Sequence, residues 1–228
     1  MKKIILTTMA MLFLQPVFAV SDLEQVNKIQ TRIDLIGTDL LNSNKIPKRI
    51  VFKYSEQEKK KLLTTNKTLT KRQIIVYDGL YNSAQTDDEI AALLAREIST
   101  AMKSYSGAWG GRISAIQVAA SSKKFETVAD KRAVDYMVKA GYNPLALIVY
   151  INKTCPQGRS DFISRHNLTS KRLARIYEYI TYKYPQYLVS NPYVHNRYYQ
   201  NFLLTSVNNR KMLEDKIKSK SAKELKYE

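Results

Sequence analysis

Residues 86–107 constrain this chain more than any other stretch. Thr86-Asp87-Asp88-Glu89 opens a segment in which Ile90, Leu93, Leu94, Ile98 and Ala101 recur at helical spacing, and Gly107 closes it. Thr86 with Glu89 three residues on is a capping box, in which each side chain satisfies a backbone N–H that the helix cannot. Asp87 and Asp88 favour the positive end of the helix dipole. The apolar stripe must be buried against other elements. Arg96 and Glu97 interrupt this apolar helix, and a charged pair in such a place calls for a chemical reason.

The chain has 228 residues, enough for one domain with a sizeable core and some additional helix. Met1-Lys2-Lys3, the apolar run Ile4 to Leu14 and the small-residue site Val17-Phe18-Ala19 read as a secretory signal peptide. No later segment approaches the length of a membrane span, so an exported protein, periplasmic or extracellular, without a transmembrane segment is expected. Cys155 is the single cysteine, which excludes an intramolecular disulfide and suits burial as a small apolar residue. The formal charge of +17 becomes +15 once Lys2 and Lys3 leave with the signal. Such a charge suits an anionic envelope surface or acidic partners, and a solvated lysine coat without a partner is the alternative. No nucleic-acid motif accompanies it.

The spacing of Leu23, Val26, Ile29, Ile33, Ile36, Leu40 and Leu41 predicts a helix over 22–43, ended by Pro47. Strands are expected at 49–54 and 73–77, separated by a polar, lysine-rich stretch from Ser55 to Thr70. Asp78-Gly79 marks a turn. Gly110-Gly111 opens a loop, and Ile113, Ile116 and Val118 begin a further helix. Others are expected over 125–140, from an Asn143 cap with Pro144 in the first turn to Lys153, and over 169–184. Tyr184, Tyr187, Tyr193, Tyr198 and Tyr199 suit the edge of a core with their hydroxyls in water. Lys216 to Glu228 is expected to be unburied.

Three blocks in order make the sequence resemble the gluzincin-type zinc metallopeptidases typified by the CAAX prenyl protease, the bacterial heat-shock membrane protease and the periplasmic barrel-assembly-enhancing protease. The likeness covers roughly residues 45–175. Gln73-Ile74-Ile75-Val76-Tyr77-Asp78-Gly79-Leu80 resembles the family's edge strand, which implies that Gln73, Ile74, Ile75, Val76 and Tyr77 pair with extended polypeptide. Asp87 to Ile98 is similar to the helix carrying the family's His-Glu-x-x-His motif. Glu126-Thr127-Val128-Ala129-Asp130, followed by Ala140-Gly141-Tyr142-Asn143-Pro144, resembles the segment whose glutamate is the third zinc ligand and whose aspartate supports the site. Those roles fall on Glu126 and Asp130. Arg165-His166-Asn167, followed by Arg172, resembles a segment whose histidine lies near the catalytic centre, with Asn167 in place of a proline. His166 on the surface beside a helix is the other reading.

The resemblance stops at the metal. Arg96-Glu97-Ile98-Ser99-Thr100 stands where the zinc motif should be, so Glu97 remains while both imidazoles are replaced, by Arg96 and Thr100. Two histidines four residues apart would hold zinc at about 2.0–2.1 Å. The metal would lower the pKa of its bound water to about 7. A guanidinium offers no lone pair, and a threonine hydroxyl is a feeble neutral ligand. Losing a +2 ion would leave Glu97, Glu126 and Asp130 crowded together. Arg96 is therefore expected to reach Glu126 or Asp130 and take over the metal's structural role.

The resemblance implies an α+β, predominantly helical gluzincin-like metallopeptidase domain over 20–183, with a small β-sheet beside the active-site helix. A signal peptide (1–19) precedes it, and a tyrosine-rich, basic C-terminal helical extension (184–228) follows. The function it favours is a non-catalytic pseudopeptidase binding extended polypeptide or an envelope protein, with Glu97 and His166 vestigial and no cofactor. The alternatives are an active metalloendopeptidase with a divergent site and a basic envelope-associated structural protein. An unpaired edge at residues 73–77 would favour binding. A groove filled by Trp109, Tyr105 or the C-terminus would favour the structural protein, and a His166–Glu97 pair beside a cavity the hydrolase.

Overall fold

In the computed structural model, which describes residues 2–47, 49–59, 62–68, 71–105, 122–155 and 169–227, the helix marked most clearly by the sequence is also the one the others pack around. The elements run α1 (Lys2–Ser43), β1 (Arg49–Ser55), β2 (Leu62–Thr68), β3 (Lys71–Tyr77), α2 (Asp78–Tyr81), α3 (Asp87–Tyr105), α4 (Ser122–Lys139), α5 (Leu145–Thr154), α6 (Thr169–Lys183), α7 (Gln186–Val189), α8 (Arg197–Thr205) and α9 (Val207–Lys218). The class is α+β, mostly helical, with one small sheet. The segment read as a signal and the helix expected from residue 22 form one continuous α1. Among the described residues no helix is long and apolar enough to cross a membrane. Gly107, Trp109, the Gly110-Gly111 loop and the helix expected around Ile113 lie outside the described residues.

The apolar spacing of α3 suggests one buried face, but Ile90 to Ala95 are all buried. The reason is company on every side: α3 packs on α1, α4, α5 and β2. Ala91, Ala92 and Ala95 let these neighbours approach closely. Its capping acids do more than meet a dipole. Glu89 N donates to Thr86 Oγ1 at 3.2 Å, and Glu89 Oε2 accepts from Gln85 N at 3.1 Å. The same Glu89 pairs with Lys153 of α5 at 2.8 Å. Asp87 pairs with Arg32 of α1, while Asp88 accepts from Asn143 N at 2.9 Å and from the Tyr193 hydroxyl at 3.0 Å. Three consecutive acids thus moor one helix end to separate parts of the chain.

The sheet order is β1-β3-β2, with β1 parallel and β2 antiparallel to β3. This corrects the reading of residues 73–77 as an edge. Gln73, Ile74, Ile75 and Val76 lie on the central strand, paired on both sides, and Tyr77 continues it paired with β1. The missing partner was β2, inside the stretch read as merely polar. Its threonines are good strand formers, but they carry no apolar alternation to announce a strand. The far edge of β1 is occupied too: Gln30 of α1 donates from Nε2 to Phe52 O at 3.3 Å and accepts from Tyr54 N at 2.7 Å. This side-chain amide does what a neighbouring strand would do there, held by a further bond to Asp34 at 2.8 Å.

Beyond residue 183 the chain adds to the same core, since Tyr193, Tyr199 and Phe202 belong to its apolar cluster. Tyr193 and Tyr199 are buried, not at an edge with wet hydroxyls. The expectation of an unburied tail also fails at Tyr227, which is buried. An aromatic ring among lysines folds back because its own transfer from water outweighs the polarity of its neighbours.

α1 meets β1 through Gly37, where an added Cβ would overlap the Phe52 ring. Gly37→Ala gains about 1 kcal/mol of helix propensity but overpacks by about 1–3 kcal/mol. Urea denaturation should therefore show net destabilisation in the wild-type background and none in Phe52→Leu. A second expectation concerns pH. Burial pushes the Tyr150 and Tyr193 phenols well up, and Tyr199 up to about 12. The folded form keeps protons that the unfolded chain releases near pH 10, so stability is complete below about pH 10 and falls as pH rises towards about 12. Phenolate absorbance should then appear in step with loss of helix; full ionisation in an intact fold would refute the assignment.

Candidate functional site

α3, α4 and α6 each present charge to one point. α4 carries Glu126 and Asp130 four residues apart, hence on one helix face. α3 supplies Arg96 and Glu97, and α6 supplies Arg172 from the stripe that also holds Ile176 and Ile180.

The strongest contact is Asp130 with Arg172. Nε donates to Oδ2 and Nη2 to Oδ1, both at 2.9 Å, between side chains only 3% and 5% exposed. This is the bidentate fork geometry for which a guanidinium is suited. Burial by itself pulls the Arg172 pKa down. The charge and hydrogen bonds of Asp130 outweigh that and hold it above the ordinary arginine range. Arg172 Nη1 also lies 3.8 Å from Glu126.

Arg96 closes the cluster from the other side. Its guanidinium lies 3.4 Å from Asp130, 3.2 Å from Glu97 and 3.9 Å from Glu126. Arg96 therefore touches all three carboxylates, including the two it was expected to reach. Thr100 is not part of the cluster. It is exposed, and its hydroxyl donates back to Arg96 O at 3.1 Å. Tyr150 of α5 is buried beside the cluster; burial raises its pKa most, with Cys155, Arg96 and Glu97 all close enough to act on it. Cys155 is half-buried, and Thr169 donates to its carbonyl at 2.7 Å. His166 lies outside the described residues.

Among the described residues the donor set does not fit zinc. A fixed guanidinium stands among the carboxylates that a divalent cation would need, and neither helix position offers an imidazole. Among the described residues no three His, Cys, Asp or Glu side chains are disposed to hold a metal ion. The crevice beside Asp130 and Arg172 leaves no room even for a water-sized molecule. Ligand clefts commonly measure about 300–1,000 Å³. The arrangement holds three carboxylates against two guanidinium groups.

Sequence reasoning found Arg96, Glu97, Glu126 and Asp130 but gave Arg172 no part in the cluster. The available signal was an arginine four residues before Ile176, on the buried stripe of α6. Comparison of the chain with protein-family models, curated proteins and solved structures finds no match.

Removing one partner of a buried pair strands the other charge. Arg172→Ala and Asp130→Ala should each cost about 3–5 kcal/mol, with the double variant well short of their sum. Arg96→Ala should cost less, about 1–2 kcal/mol, because its side chain is 26% exposed. Urea denaturation of the four proteins tests this ordering, and additive single effects would refute the pairing.

Proposed function

We propose that this chain is an exported, zinc-site-degenerate gluzincin relative that binds extended polypeptide without cleaving it. The observation carrying this reading is the Arg96 guanidinium lying against Glu97, Glu126 and Asp130 at once. A cation is supplied where the family would use a metal, so the helix arrangement survives while the Lewis acid does not. Glu97 then has no metal-bound water to deprotonate, and an arginine within reach of it instead.

Binding falls to the sheet edge. β3 is paired on both sides and Gln30 occupies the outer edge of β1. Among the described residues only β2 keeps an outer edge without a partner, and it packs beside α3. The binding strand proposed is therefore Leu62–Thr68 in place of 73–77. Adding a strand there draws affinity from backbone hydrogen bonds and requires no metal.

Metal content and casein hydrolysis of the purified wild type and an Arg96→His/Thr100→His variant test the reading. The wild type should be zinc-free and inert, and the variant should acquire zinc, because its imidazoles share one helix face with Glu126 opposite. Stoichiometric zinc in the wild type, with hydrolysis abolished by Glu97→Gln, would show an enzyme.

A further inference from the structure

We infer that the outer face of α4 is a docking surface for an anionic phospholipid membrane. α4 is two-sided. Its inner face carries Glu126, Asp130, Ala133, Val134 and Met137 into the ion cluster and the core. Lys124, Val128, Lys131, Arg132, Asp135 and Lys139 follow at spacings of three and four residues or side by side, which places them on the opposite face. Lys124, Lys131, Arg132 and Lys139 are exposed, and none lies within ion-pair distance of a carboxylate among the described residues.

The one acid on this face is already neutralised. Asp135 pairs with Lys183 of α6 at 2.8 Å and accepts from the Tyr179 and Tyr184 hydroxyls. The Tyr179 ring in turn has Lys131 at 5.4 Å and Lys183 at 5.2 Å, so the basic surface continues from α4 onto α6. α1 and α9 carry acids among their exposed cations. On α1, Lys28 pairs with Glu24 and Arg32 with Asp87. On α9, Lys211 and Lys218 alternate with Glu214 and Asp215. On α4 the four exposed cations face a single outward acid, and that acid is already paired.

The chemistry favours headgroups over a shaped ligand. The stripe is convex and extends for about 22 Å at 1.5 Å per residue. Three of its four free cations are lysines, mobile point charges on long stems, without the rigid fork used for a fixed partner. Val128, 42% exposed, sits among them as an apolar side chain suited to the headgroup boundary. A fluid anionic surface can adjust to such a stripe, and each basic residue near it adds to the attraction.

Vesicle co-sedimentation of the chain as isolated from the producing cell tests this. Vesicles of phosphatidylcholine with about 30 mol % phosphatidylglycerol are compared with phosphatidylcholine alone, at about 0.1 M and about 0.5 M salt. The variants are Lys124→Gln/Lys131→Gln/Arg132→Gln/Lys139→Gln and a charge-matched control, Lys211→Gln/Lys218→Gln/Lys220→Gln/Lys223→Gln. All substituted positions are exposed, and circular dichroism checks that both variants are folded. The wild type should pellet with the anionic vesicles alone, in a salt-sensitive manner. The α4 variant should bind at least about tenfold more weakly and the control within about threefold of wild type. Equal losses in both variants would reduce the effect to net charge and overturn the assignment. Binding that is absent, indifferent to salt, or found with heparin but not with vesicles would overturn it too.

Discussion

Three carboxylates from two helices cannot share a buried corner without positive charge to hold them. Taking each ion out of water costs several kcal/mol even after relaxation, and only close, well-directed counter-charges recover that. Arg172 meets Asp130 through two parallel hydrogen bonds, and Arg96 spans Asp130, Glu97 and Glu126. These contacts oblige α3, α4 and α6 to converge at one place. Any change of occupant, whether guanidinium or metal, must deliver comparable charge at the same point, or the helices lose their reason to meet.

The other end of α3 is fixed by a different device with the same logic. Asp87, Asp88 and Glu89 each engage a separate partner, Arg32, Tyr193 with Asn143, and Lys153. A helix held at both ends and packed between apolar neighbours does not slide, which is why Arg96 can sit among its carboxylates with little freedom. The same economy of polar groups governs the sheet. Gln30 satisfies Phe52 O and Tyr54 N on the outer edge of β1, and among the described residues β2 is the edge strand without such a partner. On α4, Glu126 and Asp130 point inward while the unpaired cations and the paired Asp135 lie outward, so one helix serves the ion cluster and presents a basic face.

Much of this was legible in the residue order. The helices expected over 125–140 and 169–184 lie at Ser122–Lys139 and Thr169–Lys183, because apolar side chains at a period of 3.6 have few other ways to be buried. The Arg96 contacts were expected from the resemblance, which set Glu126 and Asp130 opposite Arg96, and from the preference of a guanidinium for carboxylates. Other features were hidden for physical reasons. β2, Leu62–Thr68, mixes two leucines and three threonines with Asn66 and Lys67, a run without apolar alternation whose pairing shows only when β3 lies alongside. Arg172 resembles any basic helix residue until α4 brings Asp130 within 2.9 Å. Tyr227 sits in a lysine-rich tail, and no local pattern shows that it will be buried.

The sequence by itself therefore determined that α3, α4, α5 and α6 are helical and how α3 is capped, since these follow from side-chain period and capping chemistry along a short stretch of chain. Tertiary structure alone decided that β3 is central, that Gln30 closes one sheet edge, and that a second arginine completes the ion cluster. Each of those joins residues far apart in the chain, and the value of a polar group there depends on what the fold sets against it.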